Sequence, residues 1–320
     1  VNTIFIAPDG RLRALWRFVF SVVFVIVAPM FLAQWVIGAP IQNDLVHDIV
    51  VTCSTAVFAL LGSLFLLSTF DQVAGGPGTL LRELGFAGGA RRAVVDCVLG
   101  LAAGFIMITI AVLAIALFGR IRPARVPITV QTLLHGVIIT FWLLVAAVSE
   151  ELQFRLYPFR ELRESMGTIF ACVLLSVMFG AVHGNNPGFG KVALLNTALI
   201  GGLLAMAYVR TRTVWMIWAI HFGWNFALGV IYGLPVSGFS FAVAVRSTTV
   251  GSRWLTGNRY GIEASLNGAV VILIGYVLVW FFTAPRAREF AKLEAMRRRE
   301  QSPAAVPGWD LSPGNFGQSR

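Results

Sequence analysis

The chain has 320 residues, 57% of them hydrophobic and only 12% charged, with a formal net charge of +10 and a mean hydropathy of +0.79. Soluble domains are about 45–50% apolar and about 25% charged, so this composition excludes one and defines a polytopic membrane protein. In such a chain Arg and Lys mark cytoplasmic loops before they mark a polyanion, and no basic run is interleaved with stacking aromatics, which argues against a nucleic-acid partner.

A membrane span needs about 20 predominantly apolar residues. Stretches of that character lie at 15–37, 48–69, 94–118, 133–154, 168–184, 192–209, 213–235 and 266–283, the fifth and sixth of them short. The expected fold is an all-α polytopic membrane protein, about eight transmembrane helices in one bundle over 1–285, with no soluble domain and no internal repeat. The first stretch is longer than a signal-peptide core and no A-x-A site follows it, so it is expected to be retained as a span. Residues 78–92 place Leu80, Leu81 and Leu84 beside Arg82 and Glu83, the pattern of a short interfacial helix. Cys53, Cys97 and Cys172 sit within or beside apolar stretches, and an odd count there argues for free thiols. Residues 286–300 read as a basic juxtamembrane helix, solvated or resting on anionic lipid, and the Pro/Gly/Ser-rich end to 320 as a disordered cytoplasmic tail.

With eight spans both termini share a side, and most of the 25 Lys and Arg fall on it, which places both termini in the cytoplasm. The cluster Arg120, Arg122 and Arg125 runs against that bias. A literal Val1 is what a GUG start codon would give, pointing to a bacterial gene and a bacterial inner (plasma) membrane.

Ionisable side chains within spans are expensive, and are usually paired and functional. Glu150 and Glu151 interrupt the fourth apolar stretch, and Arg155 follows four residues after the second. On a helix i and i+4 share a face, so Glu151 pairs with Arg155, while Glu150 points about 100° away with no basic residue at i+3 or i+4. The spacing separates a neutralised carboxylate from a free one, and a free carboxylate in a desolvated pocket is a natural general base. Solvated helix-end charges would present the same residues. Phe179-x-x-x-His183 ends the fifth stretch. If the chain reverses near 165–167, Glu150 lies about 16 residues before the turn and His183 about 17 after it, each roughly 25 Å away, so the two come level on antiparallel helices. Hydropathy alone puts Glu150 near the cytoplasmic end of the fourth stretch and His183 near the far end of the fifth; they meet only if helix four runs on past Arg155 or the chain bends around Pro158. His221-x-x-x-Asn225 puts an imidazole and an amide on one helical face, suited to assisting a base and donating to an oxyanion, or simply to joining helices. His47 and His135 read as interfacial. No HExxH, Gly-x-Ser-x-Gly, CxxC or Walker pattern is present, which disfavours zincins, serine hydrolases and P-loop enzymes.

The ordered set Glu150-Glu151-x-x-x-Arg155, Phe179-x-x-x-His183 and His221-x-x-x-Asn225, each in its own apolar segment, resembles the CPBP family of intramembrane proteases, the CAAX-protease and bacteriocin-processing (Abi) group. The motif region spans 150–225. The resemblance implies an endopeptidase acting on a membrane-associated peptide or protein, with Glu150 activating water, His183 assisting, and His221 and Asn225 completing the site, Asn225 at the oxyanion. Glu151, Arg155 and Phe179 would support it. Glu150, His183 and His221 would also suit Zn²⁺ with an open position, and the sequence leaves a zinc and a metal-free reaction both open. Two other classes compete: a non-catalytic scaffold or self-immunity protein of the same fold, which need not keep all four site residues, and a proton-coupled transporter, for which the paired broken helices are missing.

Overall fold

The computed structural model describes residues 2–38, 41, 43–71, 76–241 and 243–301. Hydropathy and length select seven of its helical stretches as able to cross a membrane. They are α1 (Ala14–Trp35), α2 (Asp44–Thr69), α3 (Gly89–Phe118), the stretch Val130–Met166 made of α4 (Val130–Arg155) and α5 (Tyr157–Met166), then, after the short α6 (Thr168–Val182), α7 (Lys191–Thr211), α8 (Val214–Ile231) and α9 (Leu266–Gln301). The bundle is all-α and polytopic, as composition requires. The expected fifth span, 168–184, is α6, whose 15 residues are fewer than the about 20 of a typical crossing. Glycines bracket it: Gly167 starts it and Gly184 follows its end, so its apolar content exceeds its helical length.

The interfacial helix expected over 78–92 is confined to Pro77–Glu83, and all three cysteines are free. Residues 286–300 form no separate helix: α9 runs unbroken through Pro285 to Gln301. Nor is the start of that segment simply solvated, because Arg286 pairs with the buried Asp96 of α3, whose other oxygen accepts from Thr213 at 3.0 Å. A fully buried carboxylate needs such partners. The tail expected beyond Gln301 lies outside the described residues.

One antiparallel ribbon escapes the helical reading. Strand β1 (Arg120–Arg125) pairs with β2 (Val245–Val250), Arg120 opposite Val250 and Arg125 opposite Val245. It joins the α3–α4 and α8–α9 connections at one end of the bundle.

Two packing features position the site. First, α3 and α8 approach closely at Gly100 and Gly104, a small-x-x-x-small pair. A Cβ at Gly100 would lie 2.6 Å from the Met216 carbonyl oxygen, and one at Gly104 would lie 2.6 Å from both the Ile220 oxygen and the Trp224 nitrogen. Backbone therefore packs on backbone, and α8 carries His221 and Asn225. Second, a buried charge cluster fixes α5 against α1. Arg17 pairs with Asp71, with Glu161 at 2.8 Å and with Glu164 at 2.6 Å. Along α1 itself, π-type turns at Val22–Val27 and from Leu32 flank Pro29, which has no N–H to continue an α-helical ladder.

Candidate active site

Helix α4 ends at Arg155, where Leu156 leaves the helical region (φ −89°, ψ −104°), and α5 restarts with Pro158 in its first turn. Gly167 then reverses the chain with φ +84°, a value costly for any residue with a Cβ. Glu150 lies 17 residues before Gly167 and His183 16 after it, and the two come level. Helix four thus ends at Arg155, and it is the bend at the Leu156–Pro158 step, with α5 beyond it, that reconciles the counting with the hydropathy.

Glu150 Oε2 is 3.8 Å from His183 Nε2 and 3.8 Å from His221 Nε2. Those separations exceed a hydrogen bond, and Glu150 Oε2 is a buried oxygen without a partner among the described residues. Each imidazole is turned by its other nitrogen. His183 caps α6, and its Nδ1 donates at 2.7 Å to the Phe179 carbonyl, one of the last-turn carbonyls that have no helical N–H. A carbonyl only accepts, so Nδ1 carries the hydrogen and Nε2 is left as an acceptor on the side of Glu150. The Phe-x-x-x-His spacing is thus the reach of an imidazole back to the carbonyl four residues earlier. His221 Nδ1 meets Glu151 Oε1 at 2.8 Å, which turns its Nε2 the same way.

The expected Glu151–Arg155 pair is present at 3.4 Å between Oε2 and Nε, both side chains buried. Arg155 also donates to the Gly201 carbonyl at 3.2 Å and lies 4.1 Å from the Phe179 ring centre. The Phe179 ring stands edge-on to both imidazoles, at 5.1 Å from His183 and 6.0 Å from His221. The two glutamates differ as their phases require: the Glu150 side chain is 29% exposed and that of Glu151 0%. Asn225, one turn after His221, lines the same cleft as Glu150 and both histidines. That cleft holds about 730 Å³ and is walled by apolar side chains that include Met30, Phe31, Trp142, Phe154, Phe239 and Phe241, a volume suited to a peptide segment or a small ligand. His47 lies apart with Asp48 at 3.2 Å, and His135 is half-buried on the first turns of α4.

The donor chemistry of Glu150, His183 and His221 is that of a three-ligand zinc site. Their 3.8 Å separations are wider than the about 3.3–3.5 Å edge of a tetrahedron with zinc's usual bond lengths. No group of three or more His, Cys, Asp or Glu among the described residues is arranged to hold a metal ion. Two of the three separations are thus a few tenths of an ångström longer than that edge, and no step below is routed through an ion.

Motif reading did not find two contacts. Glu151 serves His221 as well as Arg155. Glu263, in the α8–α9 connection, accepts from Trp224 Nε1 at 2.9 Å, from Ser237 Oγ at 3.0 Å and from the Ser237 backbone N–H, and borders a small cavity behind His183, His221 and Asn225. Burial holds its carboxyl above the usual range despite those donors. A signal was available: across 232–265 Glu263 is the sole carboxylate among Arg246, Arg253 and Arg259.

Fold and site together define an integral membrane protein of helical type with a carboxylate–imidazole centre facing an apolar cleft. Residues 131–227 match the family model described as Rce1-like, type II CAAX prenyl endopeptidase Rce1-like. That stretch bears all three motifs intact and matches the CPBP/CAAX protease family. No curated protein and no solved structure matches the chain.

Proposed function

We propose that the protein is an intramembrane endopeptidase that hydrolyses a peptide bond in a membrane-associated peptide or protein, with Glu150 as general base. The observation that carries this reading is the convergence of Glu150 Oε2 and two imidazole Nε2 atoms, each 3.8 Å from it, at the wall of one cleft. Acceptors converging on one point suit a water that donates one hydrogen to Glu150 and the other to one of the imidazoles, and turns a lone pair towards a scissile carbonyl. Glu150 takes one proton as the oxygen adds to the carbonyl carbon. The Asn225 amide lies on the His221 face of α8, where it can donate to the resulting oxyanion. The protonated Glu150 then gives its proton to the leaving amine as the C–N bond breaks, yielding a carboxylate and a free amino terminus. His183 and His221 keep the water oriented and share the charge that develops.

The apolar cleft supports a substrate that arrives through the bilayer, and the match to prenyl endopeptidases makes a prenylated Cys-a-a-X peptide the first probe to try. With α6 counted as an eighth crossing the arginine bias supports cytoplasmic termini in a bacterial inner membrane, whereas seven crossings would put the termini on opposite sides, and reporter fusions at each terminus distinguish the two. The deciding experiment compares membrane peptides by mass spectrometry from cells carrying wild type or Glu150→Gln at matched expression. A product seen only with wild type supports hydrolysis and identifies the substrate. Identical profiles, with the variant still rescuing a deletion phenotype, would sink the proposal in favour of a scaffold.

A further inference from the structure

The turn at 236–239 forms part of the cleft wall, with Val236, Ser237 and Phe239 all lining it. Its backbone is unusual at one residue: Ser237 has φ +46°, in the left-handed region that an L side chain enters only when its surroundings hold it there. Those surroundings converge on one carboxylate. Glu263 accepts from both the backbone N–H and the hydroxyl of Ser237. Its other oxygen accepts from Trp224, the residue before Asn225. Glu263 is itself anchored from α7, where the buried Asn196 donates to the backbone carbonyls of Glu263 and Ser265 at 2.9 and 2.7 Å. On its far side the turn is tied to the segment after His183, because Asn186 Nδ2 donates to the Ser237 carbonyl at 3.1 Å. Gly238 N–H donates to Tyr260 at 3.0 Å. One side chain thereby links the helix of His221 and Asn225, the loop that leaves His183, and the wall opposite them.

We infer that Glu263 is a positioning residue of this site: through Ser237 it holds the 236–239 turn as the cleft wall, and through Trp224 it sets that wall against the helix that carries His221 and Asn225. The inference deepens the hydrolase reading and rests on it for the meaning of the cleft. Glu263 touches none of the reacting groups and acts only through the residues it holds. A carboxylate suits the task because it offers enough lone pairs for three donors at once, whereas an amide presents a single oxygen.

The test uses the full chain in lipid nanodiscs, comparing wild type, Glu263→Gln, Ser237→Gly and the double variant. Glycine takes a positive φ without steric penalty, so it should lessen the turn's dependence on the carboxylate. Hydrogen–deuterium exchange is read over 234–240 and 184–190, and cleavage of a quenched peptide ending in a farnesylated Cys-a-a-X is read alongside. We expect Glu263→Gln to raise exchange at least tenfold in those two segments and to raise KM more than it lowers kcat, with Ser237→Gly in the same chain recovering part of both. Exchange unchanged in Glu263→Gln would overturn the inference. So would a rise spread evenly over α3 and α8, or a double variant no better than Glu263→Gln. The exchange arm needs no turnover, so a wild type that is inactive on every peptide would count against the hydrolase reading and leave the positioning role standing.

Discussion

Glu151 Oε1 lies 2.8 Å from His221 Nδ1, while the other oxygen of the same carboxylate lies 3.4 Å from Arg155, one helical turn along α4. The residue expected to support its own helix therefore also orients an imidazole on another. The order Arg155, Glu151, His221, Glu150 is a chain of charge and hydrogen bond that leaves one carboxylate neutralised and the other directed at the cleft.

That relationship predicts a double effect for Glu151→Gln. An amide cannot both accept from His221 and neutralise Arg155, so the imidazole loses its fixed tautomer. We expect kcat to fall by roughly 10²–10⁴-fold with KM little changed, the behaviour of a lost orienting carboxylate. Arg155, fully buried, would be left uncompensated and the fold destabilised by about 3–5 kcal/mol. Steady-state kinetics and thermal melting read the two effects separately, and wild-type kcat in a folded variant would contradict this account.

Asn225→Ala should behave differently. Its amide is assigned to charge that exists only in the transition state, so kcat should drop by about 10²–10³-fold while KM and the melting temperature hold. A change confined to KM would instead make Asn225 a substrate-binding group.

At the α3–α8 contact, Gly104→Leu would drive a side chain into the Ile220 carbonyl and the Trp224 nitrogen, both 2.6 Å from the position of a Cβ. The cost is that of overpacking, about 1–3 kcal/mol or more. Because α8 carries His221 and Asn225, melting temperature and turnover should fall together. A stable but inactive variant would mean that α8 can shift without strain.

The separations at Glu150 predict turnover that survives dialysis against EDTA and added 1,10-phenanthroline. Loss of activity reversed by Zn²⁺ would show that the three side chains close by a few tenths of an ångström around an ion.

Much of the site was legible in the sequence because its parts are local. The pairing of Glu151 with Arg155 needs only helical phase, and the meeting of Glu150 with His183 needs only a residue count on either side of a turn. Reach between helices was not legible. Whether Glu151 touches His221 depends on how α4 and α8 are rotated about their axes, which the Gly100 and Gly104 contact decides through backbone packing. Hydropathy overcounted the spans because it registers apolarity and not the glycines that bracket α6. The β1–β2 ribbon joins residues as far apart as Arg120 and Val250, a pairing with no local period to announce it. Glu263 lies beyond the last motif, on a short irregular segment where spacing carries no phase information.

The reversal at Gly167 makes the end of α4 with α5, and α6, the two arms of a caliper whose jaws are Glu150 and His183. One residue inserted into either arm would swing the jaw beyond it by about 100° and displace it by about 1.5 Å. Composition along the arms is free to drift so long as faces stay apolar, but their lengths are not. A pair of insertions, one in each arm, would restore the level of the jaws but not their facing, so length and phase are fixed together. Single insertions should be confined to stretches outside the gauge and outside the paired β1–β2 ribbon.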